Sequence, residues 1–289
     1  MSTTTPTTAV QATARRRTSS GLGATLRGIY IIWYRDVLRF WRDRTRIVAS
    51  LAQPILFLVV FGAGLGSSLG GSFGAGDTSY AQFVFPGVLG MAVLFSAVFG
   101  AMSIVWDREF GFLKEVLVAP IDRSAVAIGK ALGGATQAMI QGFILLILAP
   151  LIGIELTIAS VLLLIPFVFV LAFALSSLGV ALASRMKSMQ GFQMVMNFLV
   201  MPMFFLSGSL FPLSGLPDWM TVLTRLDPVT YGMDPLRRIM LGASIPGGAD
   251  ALGLTIFGWT LPIGVEALIL LAFGAVMLGI AVLNFRRRE

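Results

Sequence analysis

Residues 106–130 read WDREFGFLKEVLVAPIDRSAVAIGK. The stretch carries eight charged side chains, four of each sign: Asp107, Arg108, Glu109, Lys114, Glu115, Asp122, Arg123 and Lys130. Long apolar runs almost free of charge flank it on both sides. A segment bearing both signs between two bilayer-crossing runs belongs in water, because ionised side chains are costly in hydrocarbon. Its role is therefore contact with something soluble.

Composition agrees with that reading. The 289 residues are 56% hydrophobic and only 12% charged, with a mean hydropathy of +0.88. Soluble domains average roughly 25% charged residues, so this is an integral membrane protein. There is no cysteine and no histidine. That excludes disulfides, thiolate metal sites, cysteine nucleophiles and His-based zinc motifs such as H-E-x-x-H, and no metal site is expected. Residues 1–21 are rich in Ser and Thr and include Arg15, Arg16 and Arg17. They read as a disordered cytoplasmic tail, since no apolar run follows at signal-peptide distance.

A span needs about 20 mostly apolar residues. Within residues 47–285, six segments qualify: Ile47–Leu65, Gln82–Val105, Ala131–Ile152, Ile158–Ala183, Gly191–Leu210 and Pro262–Phe285. The fold expected is all-α, with six transmembrane helices. Pro54, Pro86, Pro166 and Pro202 fall in or near spans, where neighbouring helices can satisfy the freed backbone groups. Lys and Arg placement sets the orientation. With the N-terminus inside, 18 of the 21 basic residues lie on one side: nine in the N-terminal arm, four in 106–130, two in 184–190 and three in the basic tail 286–289. Arg225, Arg237 and Arg238 are left outside. Both termini are thus expected in the cytoplasm of a multi-pass cell-membrane protein. The net charge of +7 follows from this topology and gives no reason to expect nucleic acid as a partner.

Residues 22–46 form an amphipathic arm. At 100° per residue, Leu26, Ile29, Tyr30, Trp33, Val37, Phe40 and Trp41 share a face, with Arg35, Arg39, Arg42 and Arg46 opposite. Ile31, Ile32, Leu38 and Arg44 interrupt the pattern. An apolar aromatic stripe backed by arginines suits a helix lying in the membrane interface, with Trp33, Arg35, Arg39, Trp41 and Arg42 as its anchors. Segment 207–261 is too long for a turn and too interrupted for a span. It reads as two short amphipathic helices, re-entrant on the outer side, with Trp219 and Tyr231 at headgroup level.

Nucleotide chemistry is absent from the motifs. Around Gly129–Lys130, Ser124 stands where a phosphate loop needs its first Gly and Ala131 where it needs a hydroxyl. Glu266 is the only acid within a span, and its nearness to Pro262 puts it close to the outer surface, as an interfacial or helix-contact residue. The fifth span is rich in Met and Phe, and contains Gln193 and Asn197. Such a helix serves either as packing and lipid-facing surface or as the wall of a pocket. Gly134, Ala138 and Gly142 give the third span a small-residue face for close packing. Within 106–130, the second helix is expected to continue into water and turn at Gly111. A short helix then runs to a break at Pro120, and Asp122 or Ser124 caps the third helix.

The chain resembles the permease subunits of type-2 ATP-binding-cassette exporters over about residues 25–285. The resemblance rests on the arm, on Glu109-Phe110-Gly111 followed by Pro120-Ile121-Asp122-Arg123 and Gly129-Lys130, and on Asp227-Pro228-Val229-Thr230-Tyr231 before Asp234-Pro235-Leu236-Arg237. It is nearest the drug-resistance and antibiotic-export branch. It implies an elbow helix over the arm and a cytoplasmic coupling helix between spans two and three. Glu109, Gly111, Phe112, Lys114, Glu115, Pro120 and Arg123 then form the docking element. It implies a cavity between the second and fifth spans, offering Phe95, Phe99, Asn197, Met201 and Phe205. It also implies a permease dimer, a homodimer by expectation, and two copies of a separate ATPase subunit that hold ATP and Mg; no cofactor is expected on this chain. The cargo implied is a hydrophobic or amphipathic compound. Export of a polysaccharide or lipid-linked glycan is the alternative. An ion-coupled carrier is disfavoured by the lack of paired midplane charges, and a membrane enzyme by the lack of His, Cys and clustered acids.

Overall fold

The computed structural model describes residues 22–69, 79–110, 122–211, 213, 216–242, 253–256 and 259–287. Ten α-helices lie among them: α1 (Leu22–Arg42), α2 (Arg44–Leu69), α3 (Tyr80–Gly100), α4 (Met102–Glu109), α5 (Arg123–Leu146), α6 (Ile158–Ala183), α7 (Met189–Leu206), α8 (Asp218–Leu226), α9 (Thr230–Leu241) and α10 (Ile263–Arg287). A short 3₁₀ turn at Ala149–Ile152 joins α5 to α6, and β1 (Thr255–Ile256) pairs antiparallel with β2 (Trp259–Thr260) before α10.

Among the described residues, five helical stretches are long and apolar enough to cross a bilayer: Arg44–Gly62, Tyr80–Glu109, Ile158–Ala183, Met189–Leu206 and Ile263–Arg286. They coincide with five of the six spans expected. The other, Ala131–Ile152, falls on α5. That helix has 24 residues, so at ~1.5 Å per residue it has the length to cross. Its sequence is diluted by glycines and by Lys130, Thr136, Gln137 and Gln141. The packing explains the dilution. α5 is the hub of the bundle, meeting α1, α3, α6 and α10. A helix surrounded by protein needs no lipid-facing apolar surface, and polar side chains on it find partners in neighbouring helices.

The small-residue face of α5 lies where the spacing predicts. A Cβ on Gly134 would strike Ser176 Oγ of α6, and Gly100 of α3 approaches Gly134 Cα. Ala138 is buried beside them, and Gly142 faces Val93 and Val168. These contacts bring α3, α5 and α6 to backbone range. α3 carries on through a bend at Ala101 into α4, which ends at Glu109; the turn expected at Gly111 lies outside the described residues. Side-chain caps fix the starts of α3, α5, α6 and α7. Ser79 and Gln82 form a reciprocal capping box for α3, and Asp122 accepts from Ser124 N at α5. Thr157 and Ser188 cap α6 and α7.

Helix α1 packs on α5 with a face shifted from the projected one. Its buried positions are Gly28, Ile32, Asp36 and Phe40, four residues apart. Ile32, which interrupts the projected stripe, presses on Gly129, where an added Cβ would lie 2.9 Å from Ile32 Cβ. Leu26, Tyr30 and Trp41 stay exposed. The binary pattern misplaced the face because an acid, Asp36, sits at its centre.

α8 and α9 form where two short helices were expected. α9, however, is buried along nearly its whole length against α3, α6 and α10. Trp219 is exposed, but Tyr231 is buried and donates to Arg225 O at 2.7 Å, so it is not a headgroup-level anchor.

Candidate functional site

Two features frame the site: a buried ion network beside segment 111–121, and a cleft in the face of the bundle. The network begins with Asp36, which α1 turns towards α5. Lys130 extends from α5 with its Nζ 3.1 Å from Asp36 Oδ2 and 3.3 Å from Asp107 Oδ2 of α4. Ser103 Oγ accepts a third bond from Lys130 at 3.0 Å. Arg35 closes the set at 3.5 Å from Asp107 Oδ2 and 3.6 Å from Asp36 Oδ1. Lys130 and Asp107 are 4% and 7% exposed. The expectation that the whole stretch 106–130 faces water therefore fails at both ends. Two acids, a lysine and an arginine neutralise one another, and that balance makes their burial tolerable. Trp33, expected as an anchor in the membrane interface, donates its Nε1–H to Thr136 Oγ1 of α5 at 2.9 Å. Gln137 donates to Asp36 O at 3.2 Å.

α4 is also tied to the linker between α6 and α7. Arg108 donates to Ser184 O at 3.1 Å and to Met186 O, and Glu109 accepts from Met189 N at 2.9 Å. Glu109 thus sits at the positive N-terminal end of α7. Arg123 reaches Phe285 O of α10 at 3.5 Å, and Asp122 caps α5. Backbone and side-chain bonds from Ser124 hold the Asp122 carboxyl below its ordinary pKa. Of the docking residues expected, Glu109 and Arg123 flank the segment, one on each side. Gly111, Phe112, Lys114, Glu115 and Pro120 lie outside the described residues. Arg39, Trp41 and Arg42 are exposed on α1.

The cleft encloses about 380 Å³. Its back wall is α3, through Phe95, Ser96 and Phe99. α2 contributes Arg46, Ser50 and Gln53, and α7 contributes Gln193, Asn197 and Met201. Each trio follows helical spacing, so each is one stripe. Phe40 and Gln141 complete the lining. Four of the five cavity candidates thus line one cleft; Phe205 does not, and stacks edge-on against Phe204 at 5.4 Å. Further along the same helices, Phe57 of α2 meets Phe204 of α7 edge-to-face at 6.4 Å. Those residues are 11 positions past Arg46 and Gln193, about 16 Å along a helix. Beyond the residues that line the cleft, this aromatic pair links α2 to α7.

A second buried charge cluster, not anticipated from the sequence, holds α9. Arg238 lies 3.6 Å from Asp234 Oδ2 and 3.9 Å from Glu266 Oε2 of α10, and donates to Leu261 O at 2.6 Å. Arg237 donates to Gly208 O and Ser209 O at 2.6 and 3.1 Å and stacks over the Phe83 ring at 4.3 Å. Glu266 is therefore a helix-contact residue, and it is fully buried. Alternation of basic and apolar residues in 230–241 reads as an exposed amphipathic face; only the partners on α10 and the 207–210 turn reveal it as internal.

Comparison with known proteins agrees with this arrangement. Residues 27–241 match the model of a family described as ABC-2 type transporter. The chain is 27% identical over 211 residues to ycf38 of Cyanophora paradoxa, a protein carrying a transport-permease name, covering 72% of each chain. It is 27% identical over 218 residues to Nodulation protein J of Rhizobium leguminosarum bv. viciae, covering 74% of this chain and 82% of that one. It is 27% identical over 219 residues to the inner membrane transport permease YadH of Escherichia coli K12, covering 73% and 82%. The matched span takes in the arm, α2 to α9, the ion network and the cleft, and the chain belongs to the ABC-2 type transporter family.

Proposed function

We propose that this chain is the permease subunit of an ATP-driven exporter, moving an amphipathic compound outward across the cytoplasmic membrane. The observation that carries the reading is the tethering of both sides of segment 111–121 into one rigid body. Asp107 on the α4 side and Lys130 on the α5 side share a single ion network with α1. A push on that segment is passed to α3, which is the back wall of the cleft. Glu109 and Arg123, with Gly111, Phe112, Lys114, Glu115 and Pro120, are the contact for a separate ATPase subunit, two copies per complex, which holds ATP and Mg. A second permease copy, a homodimer by this reading, meets α2 and α7 across the cleft. α5 is the sixth span, both termini are cytoplasmic, and α8 and α9 form the outer re-entrant element. The elbow role of α1, with Arg39, Trp41 and Arg42 at the interface, completes the layout.

The arrangement around Phe57 and Phe204 is an inward-open one on this orientation, since the joined end is the outer end. Alternating access then requires that aromatic contact to part as the Arg46–Gln193 end narrows.

The test is purification and identification of a co-purifying ATPase, followed by charge reversal at Glu109 and Glu115. The wild-type permease brings down the ATPase, and cargo stimulates its activity. Glu109→Lys and Glu115→Lys lower ATP-dependent transport at least tenfold. Full assembly and full transport in both reversals would overturn the docking role.

A further inference from the structure

The lining of the cleft decides what kind of cargo it suits. Sites for apolar drugs are predominantly hydrophobic, with a few placed polar groups. Here apolar atoms still form the larger share of the exposed lining, but seven of the eleven lining residues are polar and four of those are side-chain amides. Gln53, Gln193 and Asn197 are exposed towards the cleft and its mouth and form no side-chain hydrogen bond with any described residue. Amides on the surface of a bilayer-crossing helix are costly unless something polar meets them. Gln141 stands behind them, 2% exposed, donating Nε2–H to Ser50 O at 2.8 Å while its Oε1 lacks a donor among the described residues. Arg46 is the one charged side chain in this lining, and no described carboxylate lies within 4.0 Å of its guanidinium.

We infer that the cleft takes the headgroup of an anionic, hydrogen-bonding amphiphile, with phosphate- or carboxylate-type charge beside hydroxyl or amide groups. This rests on the exporter reading above and narrows its cargo away from purely hydrophobic drugs. Arg46 meets the anion through its planar fork of donors. Gln53, Gln193 and Asn197 each offer an acceptor and two donors, a match for hydroxyl and amide groups that present both. Phe95, Phe99 and Met201 supply an apolar wall on which the ring faces or first methylenes of such a molecule lie. Arg46 and Gln193 lie at the end of the cleft remote from the Phe57–Phe204 contact, and on this inference the headgroup enters there while acyl chains remain in lipid.

The experiment uses the permease–ATPase complex in neutral phosphatidylcholine vesicles. The probes are fluorescent phosphatidylglycerol, a tail-matched fluorescent diacylglycerol without the phosphate, and a tail-matched cationic ethylphosphatidylcholine. Binding is read by fluorescence and outward movement by ATP-dependent change in dithionite accessibility. The anionic probe binds at least tenfold more tightly than the other two, and ATP moves it. Arg46→Gln reduces its binding at least tenfold, and Asn197→Leu and Gln53→Leu reduce it about threefold each. Lys187→Gln, which removes an exposed charge elsewhere, changes nothing. Equal binding of the three probes, or full binding by Arg46→Gln, overturns the inference. So does an anionic probe that binds but is not moved by ATP, because the site then holds a structural lipid only. ATPase association is scored separately. An active complex that ignores the anionic probe sinks this inference alone, whereas failure of any ATPase to associate sinks the exporter reading.

Discussion

Lys130 and Asp36 stand 94 positions apart in the chain and 3.1 Å apart in space, buried where α1 crosses α5. Asp107 of α4 shares the same lysine. Removing the lysine leaves two buried carboxylates facing one another with only Arg35, which is half exposed, nearby. Breaking a buried pair from one side costs about 3–5 kcal/mol. Lys130→Met is therefore expected to lower the unfolding temperature of the purified protein by several degrees. Adding Asp36→Asn and Asp107→Asn recovers most of that loss, since no uncompensated charge remains. A single Lys130→Met variant with unchanged thermal stability would show the network to be idle.

This pairing also marks where sequence reasoning stopped. The spans of α2, α3, α6, α7 and α10 follow from length and hydropathy, and Asp122 announces itself as a cap by standing just ahead of the periodic run. Those are local signals. The Lys130–Asp36 contact is set by the crossing of two helices, and nothing within either helix specifies it. The clue that existed was the pairing of an acid in the α1 pattern with Gly129 and Gly133 on α5, small residues that admit a crossing helix. A Cβ on Gly133 would lie 3.1 Å from Asp36 Cβ. The buried face of α9 was hidden for the same reason. Arg237 and Arg238 look solvent-facing until Ser209 O and Glu266 are brought to them by separate segments. The cleft was partly legible only through the family resemblance, which implied a cavity between the second and fifth spans with Phe95, Phe99, Asn197 and Met201; its α2 wall was not singled out.

Asp227 gives the junction between α8 and α9 a pH dependence. Its Oδ1 accepts from Val229 N at 2.9 Å, while its Oδ2 meets no donor among the described residues. Burial raises its pKa from 3.8 to about 7, against the weaker opposing effect of the Val229 bond. The folded state therefore holds this proton more tightly than the unfolded chain. The stability this contributes is complete below pH ~4 and is lost as pH rises through about 7. Asp227→Asn keeps the acceptor and removes the titration. The wild-type unfolding temperature should fall relative to that of Asp227→Asn between pH 5 and pH 8, by at least about 2 °C. Parallel curves for the two proteins would place the Asp227 titration outside this window.

The standing of α5 has a parity test. If α5 crosses the membrane, residue 70 and Glu155 lie outside while Lys187 lies inside. If it does not, residues 115 and 155 share a side. The chain has no cysteine, so single replacements report cleanly. Gly70→Cys and Glu155→Cys are expected to react with a membrane-impermeant maleimide in intact cells, and Glu115→Cys and Lys187→Cys only after permeabilisation. Labelling of Gly70→Cys without Glu155→Cys would reduce the bundle to five spans.

Phe57 and Phe204 meet beyond the end of the cleft remote from Arg46, and their edge-to-face pair at 6.4 Å is a direct link between α2 and α7. Phe57 is half-buried, stacked on Phe61 at 5.1 Å, whereas Phe204 is 1% exposed. The two are unequal as probes. Phe204→Ala empties core volume and costs about 3–5 kcal/mol, so its phenotype mixes stability with gating. Phe57→Ala removes an aromatic pair worth about 0.5–1.5 kcal/mol beyond its area and, because Phe57 is only partly buried at the edge of the core, disturbs packing less than Phe204→Ala. If that pair holds the outer end shut, weakening it by about 1.4 kcal/mol raises the open population about tenfold when the open state is rare. Phe57→Ala in vesicles should therefore show faster ATP-independent passage of a fluorescent amphiphile and a higher basal ATPase rate, with little change in unfolding temperature. Phe57→Trp, which preserves a ring at the contact, should restore the closed behaviour. A Phe57→Ala protein that remains as tight as wild type would assign the closure to residues other than this pair.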